Sequence, residues 1–461
     1  MLKVKLDDTI AAIATPVGSG GIGIVRISGS NAIEIANILF VPNRGRALRE
    51  RKSHTISYGK IVYEGSICDE VLVSIMRAPN TYTCEDVAEI NCHGGIRAVT
   101  SVLDAVLKSG ARIAEPGEFT KRAFLNGRID LTQAEAVIDI INAKTDKSRE
   151  AALKRLDGRL YRKIKALRDE IILMLANIEA AIDYPEHDDE TMTYDTIAQG
   201  TQKVANAIDE LISGADMGKI YKEGIKTVIL GRPNVGKSSL LNSIIDEERA
   251  IVTDIPGTTR DILEELININ GIPLKLVDTA GIRDTDNVIE KIGVEKSRKL
   301  AAEADLVLLM IDGSRQLSDE DKELIELSAD KNRIVLVNKT DLTQVISLEE
   351  IKELTGCEPI NISVKADKGI EQLYEQIKSM FMSGQVDINE EALISNERNK
   401  NSLYKAKDFL YNVIETVNNR MPEDFISMDL TQAYEALGEI TGEALEEDII
   451  DKIFSEFCLG K

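Results

Sequence analysis

The chain has 461 residues, a formal net charge of −22 and a pI of about 4.8. Its length accommodates roughly two to four domains, and its acidity excludes a protein that coats nucleic acid by bulk positive charge, though not one with a local basic patch. The five cysteines form no Cys-x-x-Cys pair, which argues against a zinc site or disulfide framework. With no apolar run near ~18 residues and no cleavable leader, we expect a cytoplasmic protein without membrane association.

The first part of the chain combines glycine with short β-like runs, such as 22–27 and 71–76, and a helical stretch at 98–108. This mixture predicts an α+β domain, which we place at residues 1–122.

The next part has a helical pattern and is assigned to residues 123–216. Apolar residues recur at steps of three and four from Leu153 to Ile182, opposite charged residues, which predicts one long amphipathic helix. A proline and several carboxylates then interrupt the pattern, and a further helix is predicted over 194–211.

Residues 217–383 alternate strands and helices, the pattern of a mostly parallel sheet, with a hairpin turn at Asn270-Gly271. The helical pattern returns in residues 384–461. Apolar residues share a helix face there, namely Leu403, Ala406, Leu410, Val413 and Val417. Because both helical segments carry an apolar stripe that needs a partner, we predict a multidomain α/β and α protein: an N-terminal α+β domain, a helical bundle, and an inserted α/β domain.

Residues 231–238 are Gly-Arg-Pro-Asn-Val-Gly-Lys-Ser, the spacing of a phosphate-binding loop. In this motif, Lys237 reaches the terminal phosphates of a nucleotide and the Ser238 hydroxyl ligates Mg²⁺. A predicted strand (225–230) precedes the loop and a predicted helix (239–245) follows it, so the helix dipole also favours phosphate. This context argues against a chance Gly/Lys loop.

Three further motifs identify the nucleotide as GTP. Asp278 ends a strand, where it can hold Mg²⁺ through water, and Gly281 can present its N–H to the γ-phosphate. Asp341, in Asn338-Lys-Thr-Asp341, can accept guanine N1–H and the 2-amino group, both of which adenine lacks. Ser363-Val-Lys365 completes the base pocket. The order of the four motifs is that of a Ras-like GTPase.

Ile282 follows the Asp-x-x-Gly motif directly, where Ras-type proteins carry the glutamine that orients the attacking water. An aliphatic side chain cannot hold water, so we expect another residue in segment 283–290 to do so. The transition state also requires positive charge between the phosphates, normally from an arginine.

The loop at 231–238, the segment Ile-Val-Thr-Asp-Ile-Pro-Gly-Thr-Thr-Arg-Asp (251–261) and Asp-Thr-Ala-Gly-Ile-Arg (278–283) resemble the tRNA-modification GTPases known as MnmE or TrmE. Residues 115–131 look like the N-terminal signature of that family, and the ending Phe457-Cys-Leu-Gly-Lys461 is similar to its Cys-x-Gly-Lys. The resemblance covers essentially the whole chain, and the two ends distinguish it from ribosome-assembly GTPases.

The resemblance implies a potassium-dependent GTPase that is activated when two G domains dimerise. It gives K⁺ four ligands, Asn234, Thr253, Ile255 and Thr258. The ion would supply the charge of the missing arginine. Thr259 would join Ser238 on Mg²⁺. Glu290 would orient the attacking water, although its own pattern is that of a solvated helix charge.

The predicted GTP-binding set is Asn234, Val235, Gly236, Lys237, Ser238, Ser239, Thr253, Asp254, Ile255, Pro256, Gly257, Thr258, Thr259, Asp278, Thr279, Ala280, Gly281, Asn338, Lys339, Asp341, Ser363, Val364 and Lys365.

The N-terminal domain resembles the folate-binding, dimer-forming domain of the family, which is similar in fold to folate-dependent aminomethyltransferases. Arg26, Glu89 and Arg128 align with folate contacts, and Lys461 aligns with a contact from the tail. Arg128 stands where some relatives have lysine, so its contact geometry differs. Cys458 is either a nucleophile or part of the lining of the folate site. The implied donor is a reduced folate, either 5-formyl- or 5,10-methylene-tetrahydrofolate.

The resemblance therefore implies a cytoplasmic homodimer that hydrolyses GTP. In a hetero-oligomer with a flavin-dependent MnmG/GidA-type protein, it would add an aminomethyl or carboxymethylaminomethyl group to C5 of the wobble uridine of certain tRNAs. GTP hydrolysis would open and close the G domains. Two alternatives stay open: a ribosome-assembly GTPase switch, which needs a basic RNA-binding module that the sequence does not display, and a free-standing folate transferase.

Overall fold

The computed structural model describes residues 8–183, 194–248, 265–269, 271–276, 300–381 and 394–460. The chain divides into two compact units. The first unit comprises residues 1–138, 155–205 and 402–461, and the second comprises residues 139–154 and 206–401.

The strands, in chain order, are β1 (Ile10–Ile13), β2 (Ile22–Ser28), β3 (Phe40–Pro42), β4 (Thr55–Tyr63), β5 (Ser66–Met76), β6 (Val87–His93), β7 (Arg112–Ile113), β8 (Ile225–Leu230), β9 (Glu265–Ile269), β10 (Ile272–Leu276), β11 (Leu306–Asp312), β12 (Arg333–Asn338) and β13 (Ile360–Asn361). The α-helices are α1 (Ala32–Leu39), α2 (Ile96–Lys108), α3 (Glu118–Leu125), α4 (Leu131–Asn142), α5 (Asp146–Leu156), α6 (Arg159–Asp183), α7 (Tyr194–Ser213), α8 (Ala215–Glu223), α9 (Lys237–Glu248), α10 (Asp319–Leu327), α11 (Leu348–Thr355), α12 (Ile370–Phe381), α13 (Glu397–Asn418), α14 (Glu423–Thr441) and α15 (Glu447–Ser455).

A seven-stranded sheet with the order β3-β4-β5-β6-β2-β1-β7 forms the N-terminal part of the first unit. Its neighbouring strands are antiparallel except for β1 and β7. The helices α1 and α2 pack on one face of the sheet, and apolar side chains from both layers are buried between them, including Ile27, Val73, Ile90, Ala36 and Val102. This arrangement confirms the predicted α+β architecture.

The prediction of one continuous helix from Leu153 to Ile182 is wrong. The helix α5 ends at Leu156 and α6 begins at Arg159, because Gly158 adopts a left-handed φ of 76°. Glycine reaches this conformation without a steric cost. Leu153 is 42% exposed, so it does not belong to the apolar face of α6.

Helices of the two predicted helical segments pack on each other within the first unit. The longest of them, α6, packs against α14. Its buried apolar residues are Leu160, Ile164, Ile171, Met174 and Ile178. The predicted apolar face of α13 is also buried. Within the described ranges, none of the helices combines the length and apolar character needed to cross a membrane.

The second unit contains a six-stranded sheet with the order β13-β12-β11-β8-β10-β9. Its strands are parallel except for the hairpin of β9 and β10, which contains Gly271 with φ of 89°. Every residue of β11 is buried, as expected for a parallel strand covered on both faces. The carboxyl ends of β8, β11, β12 and β13 therefore meet along one edge, and the predicted fold class is confirmed.

Candidate functional site

The predicted phosphate loop joins β8 to α9 and touches the guanine motif. Asn234 has a φ of 63° and Gly236 a φ of 111°, so the loop turns its backbone through left-handed conformations. A Cβ on Gly236 would lie 2.3 Å from Asn338 Nδ2. That amide donates to the carbonyl of Val235 at 2.7 Å. Glycine at 236 is therefore what lets Asn338 reach the loop.

Lys237 is the first residue of α9, so the helix begins two residues before the start that the sequence predicted at 239. Its Nζ donates to the carbonyls of Gly231 at 2.6 Å and Arg232 at 2.9 Å, and burial lowers its pKa. The Arg232 guanidinium pairs with Asp321, a carboxylate only 2% exposed, at 2.9 Å. The loop is thus stabilised by contacts of Lys237 and of Arg232, and the ammonium group of Lys237 lies within it.

The predicted base-binding residues come together at the carboxyl ends of β12 and β13. Asp341 Oδ1 accepts a hydrogen bond from Ser363 Oγ at 2.7 Å, and Asn338 Oδ1 accepts from the Val364 N–H at 3.3 Å. The Ser363 hydrogen bond lowers the pKa of Asp341. The carboxylate therefore stays ionised and can accept the two N–H donors of guanine. Lys365 follows in a short 3₁₀ turn, Val364–Ala366.

Sequence reasoning missed Asp312, which holds the lysine of the guanine motif. Lys339 Nζ lies 2.6 Å from the Asp312 carboxylate, and Asp312 is only 4% exposed. Burial works to raise the pKa of Asp312, but hydrogen bonds from Lys339 and Ser314 outweigh it and lower the pKa overall. Asp312 could have been found in the sequence as an aspartate at the carboxyl end of an apolar strand, on the same edge of the sheet as the other motifs.

The described residues of the predicted metal site carry oxygen atoms that could serve as ligands. Asn234 contributes an exposed amide, and Ser238 and Ser239 lie in the first turn of α9. Amide and hydroxyl oxygens are hard donors that suit Mg²⁺ and K⁺. Several predicted residues lie outside the described residues: Thr253, Asp254, Ile255, Pro256, Gly257, Thr258, Thr259, Asp278, Thr279, Ala280, Gly281, Glu290 and Lys461.

The predicted folate contacts in the first unit also come together. Arg26 on β2 is directly opposite Glu89 on β6, and their side chains pair at 2.8 Å. Arg26 Nη1 also donates to the carbonyl of Gly460 at 3.2 Å. The C-terminal tail therefore reaches the Arg26–Glu89 pair through Gly460, while the predicted contact of Lys461 lies outside the described residues.

Tyr82 lies beside this pair and was not predicted. The Arg128 guanidinium carbon is 4.8 Å from the centroid of the Tyr82 ring, and that of Arg26 is 6.0 Å away. The Tyr82 hydroxyl is 3.0 Å from Thr120 Oγ1. An isolated aromatic residue in a loop gives no periodic signal, so only the fold reveals its position between two arginines.

The predicted signature segment 115–131 carries a buried charge cluster that the sequence did not reveal. Arg122 is 1% exposed and pairs with Asp8 at 2.7 Å, Glu118 at 2.9 Å and Glu85 at 3.2 Å. Burial would raise the pKa of Glu118, but hydrogen bonds from the neighbouring arginines lower it. The cluster anchors α3, which also carries Thr120.

Cys458 is exposed, and its backbone carbonyl accepts the Gly117 N–H at 3.4 Å. Gly117 has a φ of 68°, and a Cβ there would lie 2.5 Å from the carbonyl of Phe454. The start of α3 thus packs closely on the tail. Two residues after Cys458 lies Gly460, whose carbonyl accepts from Arg26.

Two protein-family models match this chain, and together they span residues 9–128 and 131–458. The model described as "GTP-binding protein TrmE N-terminus" matches residues 9–128, and the "MnmE helical domain" model matches residues 131–458. The chain is 51% identical over 458 residues to the tRNA modification GTPase MnmE of Bacillus licheniformis, covering 98% of this chain and 100% of that protein. It is 52% identical over 457 residues to the MnmE of Clostridioides difficile, covering 99% and 100%.

Proposed function

Because the chain belongs to the family of tRNA modification GTPases named MnmE, we propose that it couples K⁺-activated GTP hydrolysis to modification of C5 of the wobble uridine in certain tRNAs. The chain is a GTP hydrolase. The observation that supports the proposal is that the residues predicted to bind guanine come together: Ser363 donates to Asp341, and Asn338 reaches the phosphate loop. This pocket lies in a chain that matches its relatives over nearly its full length.

Potassium activation is supported by two features of the G domain. Ile282 occupies the position of the water-orienting glutamine of Ras-type proteins. The exposed residue Asn234 lies within the phosphate loop. A bound K⁺ would supply positive charge beside the transferring phosphate. Asn234 would ligate it together with Thr253, Ile255 and Thr258, while Ser238 and Thr259 would ligate Mg²⁺.

Hydrolysis then needs a group that aligns water with the γ-phosphate, and we assign this role to Glu290. The ammonium of Lys237 neutralises charge on the phosphates, and two of its N–H groups are already directed by the carbonyls of Gly231 and Arg232. The loop is therefore preorganised, so little reorganisation accompanies the reaction.

The first unit is proposed to bind a reduced folate that provides the one-carbon unit. The half-buried Arg26–Glu89 pair offers both a donor and an acceptor, and Tyr82 offers a ring flanked by cations. This donor set fits a flat heterocycle with N–H groups and a carboxylated tail. Lys461 and Cys458 would border the same site. We further propose a cytoplasmic homodimer that acts with a flavoprotein of the MnmG/GidA type.

Mass analysis of wobble nucleosides from a strain that lacks this protein tests the proposal. We expect the C5 modification to be lost, to return with the parent gene, and not to return with a Glu290→Gln gene. Unchanged wobble nucleosides together with accumulated ribosomal precursor particles would instead favour the ribosome-assembly switch.

A further inference from the structure

The first turns of α6 carry a basic face in a chain whose net charge is −22. Residues 155–168 contain six basic residues and one acidic residue. Arg155 and Arg168 are buried, at 5% and 8% exposure. The other four are exposed and form what we call the α6 basic face: Arg159, Arg162, Lys163 and Lys165.

Arg162, a member of the α6 basic face, pairs with an exposed carboxylate. Asp157 pairs with Arg162 at 3.1 Å, but both side chains are more than 60% exposed, at 68% and 61%. Such a pair contributes little free energy in water, so a phosphate can compete for Arg162. Glu170 is paired with Lys203, and the exposed Asp169 lies one turn beyond Lys165.

Contacts of Gln133 on α4 connect the start of α6 with the chain segment that precedes α4. Gln133 Nε2 donates to the carbonyl of Leu156 at 2.7 Å, and Gln133 Oε1 accepts the Asp130 N–H at 3.0 Å. A Cβ placed on Gly158 would lie 3.3 Å from Gln133 Nε2 and 3.5 Å from Arg162 Nη1. Two residues before Asp130, Arg128 stacks over Tyr82. The hydrogen bonds of Gln133 and the chain between Asp130 and Arg128 therefore connect the start of α6 with the Tyr82 site.

We propose that the α6 basic face binds the phosphate backbone of the tRNA substrate and so presents the wobble base to the site near Tyr82. The inference rests on the proposed function. Arg and Lys side chains neutralise the phosphates of a nucleic acid, and guanidinium groups bind phosphate in a bidentate manner. An acidic protein is the weaker choice of partner, because protein interfaces are depleted in lysine and centre on apolar anchors. The exposed apolar residues of the same helix, Ile172 and Leu173, lie beyond the four cations.

The test compares three full-length proteins: the parent, the triple variant Arg162→Gln/Lys163→Gln/Lys165→Gln, and a control triple variant with the same charge change, Lys322→Gln/Lys352→Gln/Lys378→Gln. The control residues lie on exposed faces of the second unit. The probe is an unmodified tRNA transcript with uridine at the wobble position, and its affinity is measured from 50 to 200 mM salt. Circular dichroism and thermal unfolding check that each variant folds.

Three lost phosphate contacts reduce the slope of log affinity against log salt by about 2.7, at about 0.9 per phosphate. Over the fourfold salt range, the parent and the control should therefore lose about 40-fold more affinity than the α6 variant does. The α6 variant should also bind more weakly at 50 mM salt and modify tRNA more slowly.

The outcomes separate the inference from the proposed function. If the parent binds and modifies tRNA while the α6 variant keeps its affinity and slope, the basic face is not the RNA surface. If the α6 variant loses only binding to the flavoprotein partner, the face recognises an acidic protein, and the RNA assignment is wrong. If the parent neither binds nor modifies tRNA, alone or with that partner, both the inference and the proposed function fail.

Discussion

Replacing Gly236 by alanine should greatly weaken GTP binding, for two reasons that the structure supplies. The residue has a φ of 111°, and holding an L-residue there costs about 1–3 kcal/mol. The new Cβ would also lie 2.3 Å from Asn338 Nδ2, which must then withdraw from the carbonyl of Val235. That hydrogen bond contributes about 0.5–1.5 kcal/mol.

If the free protein relieves the strain by shifting the loop, binding must restore the strained geometry. A total of about 2–4 kcal/mol corresponds to a loss of GTP affinity of roughly 30- to 1000-fold. Isothermal titration calorimetry of the full-length protein in Mg²⁺ and K⁺ measures this loss directly.

Gly356→Ala provides the matched control. Gly356 follows α11 in the same unit with a φ of 68°, but a Cβ there has nothing within 4 Å. Its substitution should therefore lower stability by about 1 kcal/mol through backbone strain alone and leave GTP affinity unchanged. Equal GTP affinities for the two variants would refute the argument that the contact with Asn338 shapes the loop.

Four further predictions concern the proposed roles. Asp341→Asn should weaken GTP binding and shift preference toward xanthosine triphosphate, whose carbonyl can accept from the new amide; nucleotide competition assays check this, and unchanged selectivity would place the base pocket elsewhere. Replacing K⁺ by Na⁺ should slow steady-state GTP turnover more than about tenfold, because Na⁺ is too small for the same cage of oxygen ligands and would not place its charge beside the transition state; equal rates in the two salts would remove potassium from the mechanism. Glu290→Ala should keep GTP affinity but slow single-turnover hydrolysis about 100-fold or more, since water orientation acts in the transition state; weak binding with normal turnover would contradict that role. Deleting residues 458–461 should lower the affinity for reduced folate and abolish tRNA modification while GTP hydrolysis continues, and a Cys458→Ser variant that still modifies tRNA would exclude the thiol as an obligatory nucleophile.

Features that depend on short-range order along the chain could be predicted from the sequence. The strand, loop and helix around Lys237 are contiguous, so their spacing alone predicts a phosphate site. The guanine motifs each follow an apolar strand, and parallel strands bring their carboxyl ends to one edge of a sheet. The meeting of Asp341 with Ser363 was therefore predictable, and the structure places their side chains at 2.7 Å.

Local pattern did not reveal the break between α5 and α6. Leu156 and Leu160 keep helical spacing across it, and periodicity carries no information about the sign of φ at Gly158. In the folded chain, Gly158 lies beside Gln133 of α4. Because Gln133 is distant in sequence, a local pattern contains no sign of this contact.

The environment of each charged side chain follows from the packing of the folded chain and could not be predicted from the sequence. Arg122 and Glu118 have the spacing of an ordinary exposed helix pair, yet packing of α3 buries both and brings in Asp8 and Glu85. The cations of Arg159 and Lys165, by contrast, remain exposed on α6. The free energy of a charge depends on its solvation and on partners that are distant in sequence, so burial by the fold determines which charges support the structure and which can meet a ligand.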